Sequence, residues 1–228
     1  MRLSILLVAA TVLTACAPAR RPTPAPTPTG VNTDDLPVAS ADVAERLLVD
    51  VASVDSTIVV ELRYATTDNF TGAPLPGYLA NRAFLRREPA YALGRVQQHL
   101  VADGLSLKVF DAYRPARATT AMVEWAERTD REALLRDGYI ASRSRHNLGL
   151  AIDLTLVDRA SGAELEMGTP FDTFDATAHT ANATGAAARN RQRLKAAMET
   201  EGFVNYDKEW WHFSYSLPNP VRFDWVIR

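Results

Sequence analysis

Cysteine is nearly absent from this chain of 228 residues, which has only Cys16. A single cysteine excludes an internal disulfide and any zinc site built from several thiolates. The chain also has no excess of charge of one sign, because 25 Lys and Arg stand against 27 Asp and Glu for a net charge of -2. Without a basic surplus to hold a polyanion, we expect no nucleic acid among its partners. A metal site would have to use histidine and carboxylate ligands.

Charge is scarce over the first fifteen residues, where Arg2 is the only charged side chain. The apolar run Leu3 to Leu13 is shorter than the roughly 20 residues that span a bilayer, and it predicts a secretory signal peptide over residues 1–15. The run ends in LTAC, which resembles a bacterial lipobox, so we expect Cys16 to be acylated and to become the mature N-terminus. The alternative is an ordinary signal peptide followed by a free cysteine.

Proline is concentrated just after Cys16, with five of the thirteen prolines between Pro18 and Pro28. This composition in residues 16–35 favours an extended spacer without an apolar face, although a disordered remnant with no spacing role is an equal alternative. No second linker or internal repeat follows, so residues 36–228 predict one domain. We expect the lipid to anchor this domain to a membrane of the cell envelope, facing the periplasm or the exterior, and to the outer membrane if the host has one.

The remaining chain mixes short strands and helices in an irregular order. Periodic apolar residues predict strands at Ile58–Tyr64, Leu105–Tyr113, Leu150–Val157 and Trp211–Tyr215. A further strand is predicted after Gly202 and reaches Tyr206. Helices are predicted from a Ser40 cap to Leu48, at Glu88–Val101, after Pro115, and at Asn190–Thr200 closed by Gly202. Strands slightly outnumber long helices, so the sequence predicts an α+β domain with a mostly antiparallel central sheet flanked by helices.

An acidic residue interrupts the apolar strand predicted at Leu150–Val157. A carboxylate there is costly unless it is paired or bound to a cation, and Asp153 lies between two apolar neighbours. His146 is seven residues earlier, and in an unbroken strand an odd separation would place the two side chains on opposite faces. Gly149 lets the chain turn, so that His146 can fold back over Asp153. The alternative is an aspartate capped by backbone amides and an unrelated surface histidine.

A second histidine and carboxylate occur three residues apart, in the stretch EWWH from Glu209 to His212. Strand geometry from Trp210 onward would turn His212 away from Trp211, so that Glu209 and His212 can face one pocket that Trp210 could border. The alternative is a paired glutamate and a hydrogen-bonded core histidine. We expect His99 at the surface and His179 in a structural loop role.

Two histidines and one aspartate together make a candidate metal site. His146, Asp153 and His212 would leave one coordination position open, which is the pattern of catalytic zinc, although other divalent metals accept such ligands. Glu209 would be the spare carboxylate that takes a proton from an attacking water. Arg114 ends a strand before Pro115 and could bind the oxyanion formed during attack. A salt bridge from Arg114 to Asp111 is the alternative.

Several motifs resemble those of the zinc D-alanyl-D-alanine dipeptidases of the VanX type. They are S-x-H-x-x-G-x-A-x-D ending at Asp153, E-W-W-H ending at His212 and D-x-Y-R-P ending at Pro115. The likeness continues in YATTDNFTG from Tyr64 and in MGTPFD up to Asp172, and covers about residues 55–216. The wider fold group includes D,D-carboxypeptidases and L-alanyl-D-glutamate peptidases.

The resemblance implies a role for each matching position. His146, Asp153 and His212 would bind one zinc ion per chain, Glu209 would be the catalytic base, and Arg114 would stabilise the tetrahedral intermediate. Tyr64 and Asp172 would lie near the amino end of a D-amino-acid dipeptide, and Ser144 near its carboxylate. A site that holds both termini would exclude longer chains, so the resemblance implies a dipeptidase.

Two features depart from the family pattern. Asn147 and Leu148 replace the small, basic pair that some of these enzymes carry, and the lipid anchor and tether differ from the soluble cytoplasmic members. We therefore hypothesise turnover of the D-Ala-D-Ala dipeptide in the envelope rather than antibiotic resistance. The alternatives are an envelope D,D-carboxypeptidase or L,D-type peptidoglycan peptidase of the same fold, and an inactive wall-binding lipoprotein.

Overall fold

A computed structural model describes residues 36–228. The predicted signal peptide, the tether and the acylation site at Cys16 lie outside the described residues. No helix within 36–228 is both long and apolar enough to cross a membrane.

A five-stranded sheet, in the order β2-β4-β5-β7-β6, forms the centre of the fold. Its strands are β2 at Val59–Val60, β4 at Leu105–Asp111, β5 at Ala151–Asp158, β6 at Val204–Asn205 and β7 at His212–Ser214. β2 runs parallel to β4, and the other neighbours pair antiparallel. The predicted α+β class with a mostly antiparallel central sheet is confirmed.

Helices and a smaller two-stranded sheet surround this centre. The helices are α1 at Ala41–Leu47, α2 at Val51–Val54, α3 at Arg87–Ala102, α4 at Ala116–Arg128, α5 at Ala133–Arg136 and α6 at Gly185–Thr200. The smaller sheet pairs β1, Leu48–Asp50, with β3, Phe84–Arg86. α3 packs on β4, α6 packs on β5, and the two helices contact each other. Ile152 and Leu154 of β5 are fully buried, since the packed helices exclude water from the centre of the sheet.

The strand predicted at Ile58–Tyr64 is wrong over most of its length. Only Val59–Val60 pairs, and the chain then forms a 3-10 turn at Arg63–Ala65. Ile58, Leu62 and Tyr64 are nevertheless all buried, whereas Val60 is only partly buried. Asn81 explains why the ladder ends, because its side chain accepts from the Leu62 amide at 2.8 Å and so replaces a strand partner.

The predicted long helices and central strands are confirmed with small changes at their ends. α1 begins after Ser40 as expected, but the Ser40 side chain makes no capping hydrogen bond. The helix predicted at Asn190–Thr200 starts earlier, at Gly185. The last strand is shorter than Trp211–Tyr215 and spans only His212–Ser214.

The C-terminal segment fastens the loops that carry the site. The Phe223 amide donates to the Asn147 carbonyl at 2.9 Å, and the Ala116 amide donates to the Phe223 carbonyl at 3.2 Å. The Tyr113 hydroxyl donates to the Trp225 carbonyl at 2.9 Å. These bonds hold the turn before α4 against the turn before β5, although the two turns are distant in sequence.

Candidate active site

Strand register brings three ionisable side chains into one row across the sheet. Asp153 in β5 is paired with Asp111 at the end of β4 and with His212 at the start of β7. Directly opposed residues of antiparallel strands point to the same face. A bulge between Val109 and Asp111 adjusts the register at the end of β4, and such bulges re-aim side chains beside active sites.

His146 reaches this row from a turn, as the sequence predicted. It lies in a 3-10 turn at Arg145–Leu148 that Ser144 caps by accepting from the His146 amide at 3.2 Å. Gly149 ends the turn at φ 64°, and an added Cβ would come within 2.7 Å of Leu48. Glycine therefore gives the left-handed bend and the close packing that return the chain to β5.

The orientation of the His146 ring is set by a backbone carbonyl. Its Nδ1 lies 2.6 Å from the Ala112 oxygen, and because a carbonyl only accepts, Nδ1 is the donor in this contact. Nε2 lies 3.2 Å from His212 Nδ1 and 3.4 Å from Asp153 Oδ1. His212 Nδ1 is 2.8 Å from the same Asp153 oxygen.

The donor set fits a divalent cation. One atom from each of His146, Asp153 and His212 lies within 4.8 Å of the others, and two imidazoles with one carboxylate are typical ligands of catalytic zinc. Burial alone would raise the pKa of Asp153, but the two imidazoles lower it below its usual value. Burial lowers the pKa of His212 despite Asp153. A metal requires ionised aspartate and neutral imidazole ligands, and the directions of these two pKa shifts favour those forms of Asp153 and His212.

Glu209 lies next to this cluster in the turn before β7. Its Oε2 is 3.9 Å from His212 Nδ1, and the residue is 7% exposed. Burial, reinforced by the charges of Asp153 and Asp172, raises the pKa of Glu209 well above its usual value. A carboxyl whose pKa is raised accepts a proton more readily than an ordinary glutamate, which suits it to acid–base chemistry.

Arg114 makes the salt bridge to Asp111 that the sequence left open, and it also lines the same cavity as the metal cluster. Its Nε and Nη2 donate to Asp111 Oδ2 at 2.9 and 2.8 Å, and Nη2 lies 3.7 Å from Asp153 Oδ2. Tyr78 donates to the other Asp111 oxygen at 2.6 Å. The guanidinium is therefore held in one orientation beside the candidate metal ligands.

Tyr64 and Asp172 meet at another part of the cavity wall. The Tyr64 hydroxyl donates to Asp172 Oδ1 at 3.0 Å, and the Tyr64 ring lies under the Arg114 guanidinium at 5.0 Å. Asp172 Oδ2 is buried without a hydrogen-bond partner among the described residues. Burial, followed by the charge of Asp153, raises the pKa of Asp172 well above its usual value. A cationic group in the cavity would satisfy this oxygen.

Arg191 is a residue of this region that the sequence reasoning missed. It is 1% exposed and donates to the carbonyls of Met167 at 2.6 Å, Thr177 at 3.1 Å and His179 at 2.7 Å. These contacts fasten both ends of the loop that presents Asp172, which has a φ of 61°. Nothing in the local pattern of α6 distinguishes Arg191 from its neighbouring arginines, so only the tertiary contacts reveal it.

All eight predicted site residues inside the described range line one cavity of about 290 Å³. They are Tyr64, Arg114, Ser144, His146, Asp153, Asp172, Glu209 and His212. Trp211 also lines it, whereas Trp210 does not, so the expectation that Trp210 could border the pocket is wrong. The Trp210 indole instead donates to Thr169 Oγ1 at 2.9 Å, which turns it away from the cavity.

The remaining histidines lie where the sequence suggested. The His99 side chain is 63% exposed on α3. The Nε2 of His179 lies 3.0 Å from the Tyr139 hydroxyl, and the His179 carbonyl accepts from Arg191. These contacts give His179 a structural role in the loop that carries Asp172.

Comparison with known proteins gives a consistent result. The Peptidase_M15 family model, described as D-ala-D-ala dipeptidase, matches residues 44–220. A D-alanyl-D-alanine dipeptidase of Enterococcus faecium is 38% identical over 169 residues, which are 67% of this chain and 83% of that protein. One of Streptomyces coelicolor is 36% identical over 198 residues, covering 78% of this chain and 98% of that protein. One of Escherichia coli is 36% identical over 178 residues, covering 77% and 87%.

The match at residues 44–220 includes every residue that lines the cavity, and the E. coli and S. coelicolor relatives align over most of this chain. The chain therefore belongs to the Peptidase_M15 family of D-Ala-D-Ala dipeptidases, and it is a metallopeptidase.

Proposed function

We propose that this protein is a zinc-dependent dipeptidase that hydrolyses D-Ala-D-Ala to two D-alanines. The observation that carries the proposal is the convergence of His146, Asp153 and His212 within 4.8 Å beside the buried Glu209. A purely structural metal site would have no use for an additional buried carboxylate at the edge of a cavity.

The chemistry of the donor set supports zinc, which His146, Asp153 and His212 would hold. When bound, a zinc ion would act as a Lewis acid and lower the pKa of a water ligand from 15.7 to about 7. The Ala112 carbonyl and the strand pairing of Asp153 with His212 keep the ligands in place.

Glu209 moves the protons in this proposal. Its carboxylate takes a proton from the attacking water and returns it to the amine of the departing D-alanine. Its raised pKa favours the return of the proton to the amine, and such acid–base catalysis contributes about 10²- to 10⁴-fold to the rate.

Arg114 stabilises the developing oxyanion on the scissile carbonyl. Asp111 holds the guanidinium in orientation, so little reorganisation is needed during attack. The nearby hydroxyl and carboxylate of Tyr64 and Asp172 take the free amino group of the substrate, which supplies the cation that Asp172 Oδ2 lacks.

The small cavity supports a dipeptide over a longer chain. Its volume of about 290 Å³ is at the lower limit of ordinary ligand pockets. An acylated amino terminus would have no positive charge and would leave Asp172 unpaired, which a buried carboxylate does not tolerate well.

The test compares D-Ala-D-Ala with N-acetyl-D-Ala-D-Ala, using wild-type protein of measured zinc content and Glu209→Gln as the matched control. We expect hydrolysis of the free dipeptide, weak or no hydrolysis of the acylated compound, and a loss of about 10²- to 10⁴-fold in Glu209→Gln with zinc retained. Preference for the acylated substrate would instead indicate a D,D-carboxypeptidase. Unchanged hydrolysis in Glu209→Gln would contradict the mechanism.

We further propose that the enzyme is anchored in the cell envelope through acylated Cys16 and acts on dipeptide released during wall turnover. The support is the sequence of residues 1–35 alone. Mass spectrometry of the N-terminal peptide and membrane fractionation test this proposal, with Cys16→Ser as the control. A soluble, unacylated wild-type protein would refute the anchor without affecting the proposed chemistry.

A further inference from the structure

Arg145 is a cavity-lining cation immediately beside two candidate site residues. It begins the 3-10 turn that carries His146, it follows Ser144, and it is one of the residues that line the cavity. One of its terminal nitrogens donates to the Tyr215 carbonyl. A guanidinium has five N–H donors, so this contact leaves most of its hydrogen-bonding capacity unused.

The charge of Arg145 has no counter-ion in the part of the chain that the structure describes. No carboxylate of residues 36–228 forms an ion pair with it, and its Nε is buried without an acceptor. Arg114, by contrast, lines the same cavity and is paired with Asp111. A half-buried cation is costly unless an anion compensates it.

The cavity wall also has the opposite imbalance at Asp172, whose Oδ2 is a buried acceptor without a hydrogen-bond partner within residues 36–228. A zwitterionic dipeptide carries one charge of each sign, at its two ends. With its amino group at Asp172, such a substrate would present its carboxylate elsewhere in the same cavity, which Arg145 lines without an acidic partner among the described residues.

We propose that Arg145 binds the C-terminal carboxylate of the substrate, beside Ser144, and selects a free carboxylate over an uncharged C-terminus. This inference rests on the proposed dipeptidase function and adds to it the residue that reads the carboxyl end. A guanidinium suits the task because its planar donors match the two oxygens of a carboxylate.

The experiment measures kcat and KM for D-Ala-D-Ala and for D-Ala-D-alaninamide in wild type, Arg145→Met and Arg145→Lys. For Arg145→Met we expect kcat/KM on the dipeptide to fall about 10- to 100-fold, mainly through KM, as for a lost charge-assisted hydrogen bond. Turnover of the amide should stay within about twofold of wild type, since the amide has no charge for Arg145 to bind. Arg145→Lys should recover part of the loss, because it keeps the charge without the planar fork.

Arg193→Met is the matched control, because it removes one positive charge from an exposed arginine of α6 that pairs with Asp103 at 2.7 Å. It should leave the ratio between the two substrates unchanged. Calorimetric binding of D-Ala-D-Ala to Glu209→Gln, with and without Arg145→Met, gives a second measurement that does not depend on turnover.

An equal loss on both substrates in Arg145→Met would overturn the inference, because Arg145 would then only tie its turn to Tyr215. A shift of the ratio by Arg193→Met would overturn it too, since general surface charge would be responsible. Failure of the wild type to hydrolyse D-Ala-D-Ala would refute the proposed function. Normal hydrolysis with no change of the acid-to-amide ratio in Arg145→Met would refute only the role of Arg145.

Discussion

The metal end and the substrate end of the cavity are built in different ways. At the metal end, Asp153 and His212 are directly opposed residues of neighbouring strands, so strand pairing sets their separation. At the substrate end, Tyr64 lies on a 3-10 turn and Asp172 on a loop that side-chain bonds from Arg191 hold in place. Two of the three candidate metal ligands thus sit on the sheet, whereas the recognition residues sit on a turn and a loop, a division that lets specificity change while the metal site is kept.

The largest effect is expected at the metal end, from Asp153→Ala. Removing the shared carboxylate leaves two imidazoles without an anionic ligand, so we expect loss of bound zinc and hydrolysis below detection. Metal analysis alongside the dipeptide assay checks this, with circular dichroism to verify folding. Zinc retained at the wild-type level in Asp153→Ala would show that the cluster is not the metal site.

Arg114→Met should have the next largest effect, because Arg114 borders both the metal end and the substrate end of the cavity. We expect kcat to fall about 10²- to 10³-fold, as when one oxyanion donor is lost, with zinc content unchanged. The exposed Arg117, which pairs with Asp224 at 2.8 Å, supplies the control Arg117→Met. A change confined to KM would place Arg114 in ground-state binding instead.

Asp172→Asn tests the substrate end. Loss of one charged partner of the amino group should raise KM for D-Ala-D-Ala about 10- to 100-fold, while kcat and zinc content change little. Steady-state kinetics on the free dipeptide measure this. A fall in kcat with KM unchanged would contradict the proposed division between a metal end that performs the chemistry and a substrate end that recognises the dipeptide.

The smallest effect is expected for Arg191→Lys, which sharpens the comparison. Lysine cannot reach all the carbonyls that Arg191 serves, and one unpaired buried carbonyl costs about 1–3 kcal/mol. For a domain of this size that lowers Tm by a few degrees, and we expect a modest rise in KM. In the double variant that carries both Arg191→Lys and Asp172→Asn, the two effects on KM should be less than additive, because Arg191 acts through the loop of Asp172. Full additivity would mean that Arg191 affects stability alone.

Much of the fold could be predicted because its signals are local. The apolar spacing of α3 and the buried runs of β4 and β5 depend on residues close in sequence. The strand predicted at Ile58–Tyr64 was wrong because Asn81, far along the chain, takes the Leu62 amide. Local alternation reports burial, but it does not report which backbone group will supply the hydrogen bond.

For the candidate site, the sequence by itself determined which residue types had to find partners. Asp153 in an apolar strand required a cation or a donor, and Gly149 allowed His146 to turn back toward it. Only the tertiary structure decided that Asp111 joins the same row, that Trp211 rather than Trp210 lines the cavity, and that Arg191 holds the loop of Asp172. These contacts join distant segments, and strand register and side-chain packing, which no local pattern encodes, determine which segments meet.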